Sequence, residues 1–275
     1  MTHPVSAAPS LTVYVEGIGL LGPGLSGWTP GREHLAGSAP YEAARCVLPL
    51  PMALPPAERR RAGAVVKVSL AVGQEAVVAS GLSAARLPSV FSSSSGDAIN
   101  CHEICSALAS ADRLISPTRF HNSVHNASSG YWSISSGSMA TSSVLCAYDG
   151  SFAAGLLEAV TQAAVDQTVV LLVAYDTDYP EPLHGVRPLP DSFGVALVLA
   201  PQRSERSLAR WTLAPACLTG ASATAMADSA LEQLRASIPA ARCLPLLRSV
   251  ATQEAGSVVL DYLDGLQLSV QVGPC

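Results

Sequence analysis

Two uninterrupted apolar runs limit what this chain can fold into more than any other feature: Val169–Tyr175 (VVLLVAY) and Ser192–Ala200 (SFGVALVLA). A strand with one wet face would alternate apolar and polar residues, and these do not. Both runs are far too short to cross a membrane. They fit strands buried on both faces, which demands helices above and below the sheet. The flanking segments supply them. Ala57–Leu82 has helical character through AGAVVKVSLAVGQEAVVASGL, with Gly81 placed to stop it. Ala98–Ala109 follows Asp97, a side chain suited to capping. Thr118–Ser136 and Ser151–Ala164 read as further helices, and Leu11–Leu20, Ser89–Ser95 and Leu208–Leu218 as further strands. Towards the C-terminal end, Asp228–Ile238 sets Ala230, Leu231, Leu234 and Ile238 at helical spacing. Ser257–Tyr262 and Leu266–Val272 flank a hairpin signal, Leu263-Asp264-Gly265. This alternation predicts an α/β fold with a mixed, helix-covered sheet. Pro201–Ser207 divides a long first part (1–200) from a short second part (201–275) holding one helix and a few strands.

Composition narrows the function. Only 13% of residues are charged, the net charge is −5, and the few Lys and Arg are scattered, so no basic face for nucleic acid is expected. The apolar share of 49% suggests a large face covered by another subunit. No stretch approaches eighteen apolar residues and the first residues lack a signal-peptide pattern, so a cytoplasmic chain without a membrane span is expected. Its seven cysteines include no CxxC pair and are read as buried free thiols. Cys101 and Cys105 lie one helical turn apart with no second ligand pair, so no metal site is assigned. Gly17, Gly19, Gly22 and Gly24 are too irregular for a nucleotide loop and suit turns and close packing. His121 and His125, four residues apart on one helix, should share a partly buried polar face.

The chemically suggestive stretch is Ser138–Glu158, SMATSSVLCAYDGSFAAGLLE. It reads as a strand, a tight turn and a small-residue helix, the arrangement that presents a nucleophile with a helix N-terminus behind it. Cys146 is the candidate nucleophile, but a working thiolate needs a histidine, a cation or the helix end to lower its pKa. The only histidine after it is His184, in YPEPLHGVRPLP. A Cys146–His184 dyad is one reading; a buried free cysteine in a strand is the preferred one.

Several segments then fall in the order and spacing of a known family. VYVEGIGLLGPG, LPPAERRRAGAVVKVSLAVGQEAVVASGL, SVFSSSSGD, LISPTRFHNSVHNASSGYWSISSG, the stretch above and VVLLVAYDTD resemble the N-terminal half of a β-ketoacyl synthase of the thiolase-fold group, from about Val13 to Ala200. The resemblance implies a thiolase-like, mixed five-stranded-type sheet with a shortened second half. Active members carry a cysteine in a T-A-C-x-S-G turn, with two histidines and a lysine from the second half. Here that position falls on Tyr148-Asp149-Gly150, a degenerate turn, and no such histidine motif follows residue 200. No catalytic residue and no cofactor is carried over. A chain of this kind resembles the chain-length factors of type II polyketide systems, and its short second half the truncated form found in aryl polyene clusters. That implies a non-catalytic partner of a full-length β-ketoacyl synthase, forming a heterodimer, shaping the acyl tunnel and meeting an acyl carrier protein through the complex. The strand Ala140, Thr141, Ser142, Ser143, Val144, Leu145 and Cys146 would pair across the dimer axis. Ile104, Leu108, Phe120, His121 and Val124 would line or gate the tunnel. Two other readings stay open at this point: an acyltransferase or thioesterase-like enzyme acting alone through Cys146, and a purely structural stabiliser of the synthase. The strand does not tell a heterodimer from a homodimer.

Overall fold

A computed structural model describes residues 11–214 and 221–275. In chain order the elements are β1 (Leu11–Gly22), β2 (Leu25–Ser26), α1 (Trp28–Ala36), α2 (Pro56–Arg61), α3 (Ala64–Ser80), β3 (Ser89–Ser92), α4 (Ala98–Ala109), α5 (Pro117–His121), α6 (Ala127–Ser136), β4 (Ser142–Leu145), α7 (Ser151–Asp166) and β5 (Val170–Asp176). They continue with α8 (Leu183–Val186), β6 (Phe193–Ala200), β7 (Ala209–Leu213), α9 (Ser229–Ser237), α10 (Leu244–Thr252), β8 (Gly256–Leu263) and β9 (Leu266–Gly273).

One sheet runs through the molecule in the order β4-β3-β5-β6-β1-β7-β9-β8, with β2 hairpinned onto β1. β3 is parallel to both β4 and β5, and the remaining pairs are antiparallel, so the sheet is mixed as expected. The five strands β4 to β1 are the expected sheet, extended at one side by β7, β9 and β8. Strands from either side of residue 201 pair directly, β1 with β7, so the two expected parts share one sheet.

The apolar runs do what their composition requires. Along β5, Leu171, Val173 and Tyr175 face the cluster built with α3 and α6, around Leu70, Val72 and Trp132. Val170, Leu172 and Ala174 face the opposite cluster, with Leu156 and Val160 of α7 and Leu244 and Leu247 of α10. Burying a side chain of this size contributes about 1.5–3 kcal/mol, so this strand anchors both halves of the core. β1 lets α3 approach closely because a Cβ on Gly19 would lie 2.0 Å from the Val72 carbonyl oxygen. Close packing, not nucleotide binding, explains that glycine.

Several local boundaries differ from the sequence reading. The helix expected over Ala57–Leu82 is two, because Asn122 Nδ2 donates to the Arg61 carbonyl (2.9 Å) and Gly63 then starts α3 afresh. The helix expected over Thr118–Ser136 is also two. Asn122, engaged there and by the Tyr131 hydroxyl (3.1 Å), competes with the helical ladder. Among its described residues the second part holds two α-helices, α9 and α10, rather than one. α1, β2 and α8 were also not foreseen. Asp97 and Asp228 do cap α4 and α9, accepting from Asn100 N and from Ala230 N and Leu231 N. Residues 215–218 of the strand expected to start at Leu208 lie outside the described residues. So does Cys217.

The two ends of the sheet are treated differently. The outer edge of β8 is covered at Val259, which exchanges bonds with the backbone and hydroxyl of Thr224, both 2.9 Å. β4 is paired only on its β3 side.

Candidate functional site

The path from β4 into α7 is a sharp turn whose tip is Tyr148, not Cys146. Tyr148 has φ of 49°, in the left-handed region that costs a bulky L-residue about 1–2 kcal/mol. A strained residue between a strand and a helix N-terminus is where a nucleophile would stand. Four contacts from distant segments hold the turn. The Arg187 guanidinium lies 3.7 Å over the Tyr148 ring. Asp149 accepts from Arg187 at 2.6 Å through one oxygen and from Arg242 at 3.0 Å through the other. Gly150 is pressed against β8, where an added Cβ would lie 1.7 Å from the Tyr262 carbonyl oxygen.

These partners come from three distant segments: the loop after α8, the 3-10 turn before α10, and β8. Neither arginine was singled out from the sequence. The one available signal was Asp149 itself, a carboxylate in an apolar turn that needs a counter-charge. Which cation answers it is decided by the fold.

Cys146 stands just past the end of β4 and is exposed, contrary to the expected burial within the strand. Its thiol donates to the Ser94 carbonyl at 3.1 Å, and no hydrogen bond to His184 forms among the described residues. The expectation of buried thiols fails more widely. Among the described cysteines only Cys243 is buried, while Cys101, Cys105 and Cys275 are exposed and Cys46 is intermediate. Apolar strand and helix faces here are filled by branched aliphatics, leaving thiols to the margins.

His121 and His125 do not share a helical face. His121 ends α5, exposed, and His125 lies in the link before α6. The His125 ring packs beside Gly96, and burial lowers its pKa. Near it, at the end of β5, the fully buried Asp176 accepts from Ser94 N and Ala240 N, each at 2.9 Å. Burial pushes its carboxyl up despite those bonds.

α4 and α5 are joined by Asn100 Nδ2 donating to the Arg119 carbonyl (2.8 Å) and by the Arg119–Glu103 pair (3.3 Å). Leu108 on α4, Phe120 and His121 on α5 and Val124 in the link after it reach solvent, Phe120 with 68% of its surface exposed, while Ile104 is half-buried. Ile134 and Met139 are exposed as well. Of the expected pairing strand, Ser142, Ser143, Val144 and Leu145 form β4, whereas Ala140, Thr141 and Cys146 lie just outside it. β4 carries neither charge nor proline, the usual protections of an open edge.

Solved structures share this architecture at low sequence identity. Similar to the chain is a ketosynthase (ApeO) in complex with its chain length factor (ApeC) from Xenorhabdus doucetiae, at a TM-score of 0.68 and 22% identity over 94% of this chain and 99% of that one. The ishigamide ketosynthase/chain length factor gives a TM-score of 0.71 at 13% identity, over 96% and 99%. AntDE:AntF, a type II polyketide synthase acyl-carrier protein in complex with its ketosynthase bound to the hexaketide, gives 0.71 at 11%, over 96% and 99%. At these identities the likeness establishes the fold, which is thiolase-like. No curated protein matches the sequence. Among the described residues no helix is long and apolar enough to cross a membrane. Residues 35–256 match the model described as beta-ketoacyl synthase, N-terminal domain, continuing past the Ala200 limit of the sequence resemblance. With the greater part of its length matched, this chain belongs to the β-ketoacyl synthase N-terminal domain family.

Proposed function

We propose that the chain is a non-catalytic, chain-length-factor-like subunit that pairs with a full-length β-ketoacyl synthase and contributes to the end of its acyl tunnel. The observation that carries this reading is the occupant of the strand-to-helix turn. Its tip holds a tyrosine stacked under Arg187, followed by a carboxylate tied to two arginines and a glycine jammed against β8. A phenol in that position cannot carry a thioester. Pairing is supported by the open, uncharged β4 edge and by the exposed apolar side chains Leu108, Phe120 and Val124. In the same reading Ile104, Leu108, Phe120, His121 and Val124 set tunnel depth, and residues 201–275 serve as a shortened second half. An acyl carrier protein is met through the active partner, as in AntDE:AntF, where the carrier protein is in complex with its ketosynthase.

Co-expression with a full-length β-ketoacyl synthase of the same genome tests the reading. The two should co-purify as a heterodimer, and a reactive acyl-thioester analogue should label the partner and leave this chain unmodified. Stoichiometric labelling of Cys146 in the isolated chain would replace the proposal with the acyltransferase reading.

A further inference from the structure

The turn at Tyr148–Gly150 holds two positive charges rigidly and one negative charge loosely. Arg187 and Arg242 keep only 15% and 18% of their side-chain surface exposed, and Arg187 is further pinned flat over Tyr148. Asp149, the anion between them, is 44% exposed and opens onto a cavity of about 960 Å³. Arg242 has a second, looser neighbour in Asp261, at 3.8 Å. Among the described residues Arg187 forms its ion pair with Asp149, and the Asp176 carboxyl attracts it from further off. Behind the turn stands the N-terminus of the 16-residue α7, which adds a partial positive charge.

We propose that Arg187 and Arg242 form a carboxylate-binding site that Asp149 occupies from within the chain, so that the turn refuses acidic ligands. Guanidinium forks match a planar carboxylate, and two that are immobilised before binding lose little freedom on accepting one. Asp149 is delivered by a short backbone tether, which raises its effective concentration above that of any dilute free acid. Truncating it removes the short ion pair of each arginine and leaves Arg242 the looser Asp261, a drive to take a replacement anion. The site selects by charge and planarity, so small mono- and dicarboxylates are its class of ligand. The proposal rests on the turn alone and holds whether or not the chain pairs with a synthase.

The test is a thermal-denaturation titration of wild type and Asp149→Ala with malonate, at ionic strength held constant with sodium chloride and with neutral malonamide as control. Asp149→Ala should gain melting temperature with malonate, half-saturating at millimolar concentration, and show none with malonamide. Wild type should not respond, and Asp149→Ala/Arg187→Gln should lose the response. A flat Asp149→Ala titration overturns the proposal, as does an equal rise in wild type or in the double variant. Should Asp149→Ala unfold in buffer, refolding with and without malonate reads the same question. Recovery only with malonate supports the site, and equal recovery or none overturns it.

Discussion

Replacing Asp176 by Ala isolates one side chain that ties the first strands to the C-terminal part. Its carboxylate accepts from Ser94 N, beyond β3, and from Ala240 N, before α10, at 2.9 Å each, and it is fully buried. Without it two backbone donors lose their partners in a dry interior, each at about 1–3 kcal/mol. Relief of the carboxyl's own desolvation, visible in its raised pKa, offsets part of this. A net loss of about 2–4 kcal/mol is expected, lowering the melting temperature by roughly 4–10 °C for a chain of this size. Asp176→Asn keeps one acceptor and should lose about half as much. The pH dependence follows from the sign of the shift. A pKa raised above its unfolded value of 3.8 means that the group's contribution is full below that value and falls as pH rises through the folded pKa. The non-titrating Asn variant lacks that fall, so its deficit against wild type should shrink as pH rises. Calorimetry across pH, with hydrogen exchange read at the Ser94 and Ala240 amides, measures both effects. A melting point within 2 °C of wild type, with those two amides still protected, would refute the reasoning about what Asp176 holds together.

The remaining predictions concern pairing, tunnel, turn and histidine. Ser142→Lys places a charge on the exposed end of the open β4 edge and should abolish co-purification with a synthase while costing this chain about 1 kcal/mol or less of its own stability; light scattering of the mixture decides it. Phe120→Ala and Val124→Trp should shift the product length of the reconstituted complex without dissociating it, read by mass spectrometry of the products; unchanged products across all five candidate positions would refute tunnel gating. Gly150→Ala must push the Tyr262 carbonyl aside and should cost about 1–3 kcal/mol or more in chemical denaturation, whereas Gly37→Ala, with nothing near its Cβ, should cost only the strain of its left-handed backbone. His125 has a pKa lowered from 6.5 by burial, so its contribution is full above 6.5 and is lost as pH falls below it; His125→Gln should flatten the stability profile between about pH 7 and 5, and an unchanged slope would contradict this.

Much of the fold could be read from local pattern because its signals are local. VVLLVAY and SFGVALVLA can satisfy their composition only between two helical layers, and Asp97 and Asp228 announce helix starts by their own side-chain chemistry. Gly81 ends α3 in the left-handed conformation that a glycine there suggested. The misread segments are those where a distant group intervenes. Asn122 takes the Arg61 carbonyl and breaks two periodic helical patterns at once, and nothing near Arg61 in the sequence announces it. The split of His121 from His125 follows from the same residue.

The sequence by itself determined the covered mixed sheet and the small-residue helix behind a tight turn. Tertiary structure alone decided what the turn is made into. Arg187 and Arg242 lie 38 and 93 residues beyond Asp149, and Tyr262 reaches Gly150 only because β8 is carried round on the far end of the sheet. Burial, exposure and counter-charge depend on where the whole chain brings its surfaces together. They leave no periodicity for local pattern to register.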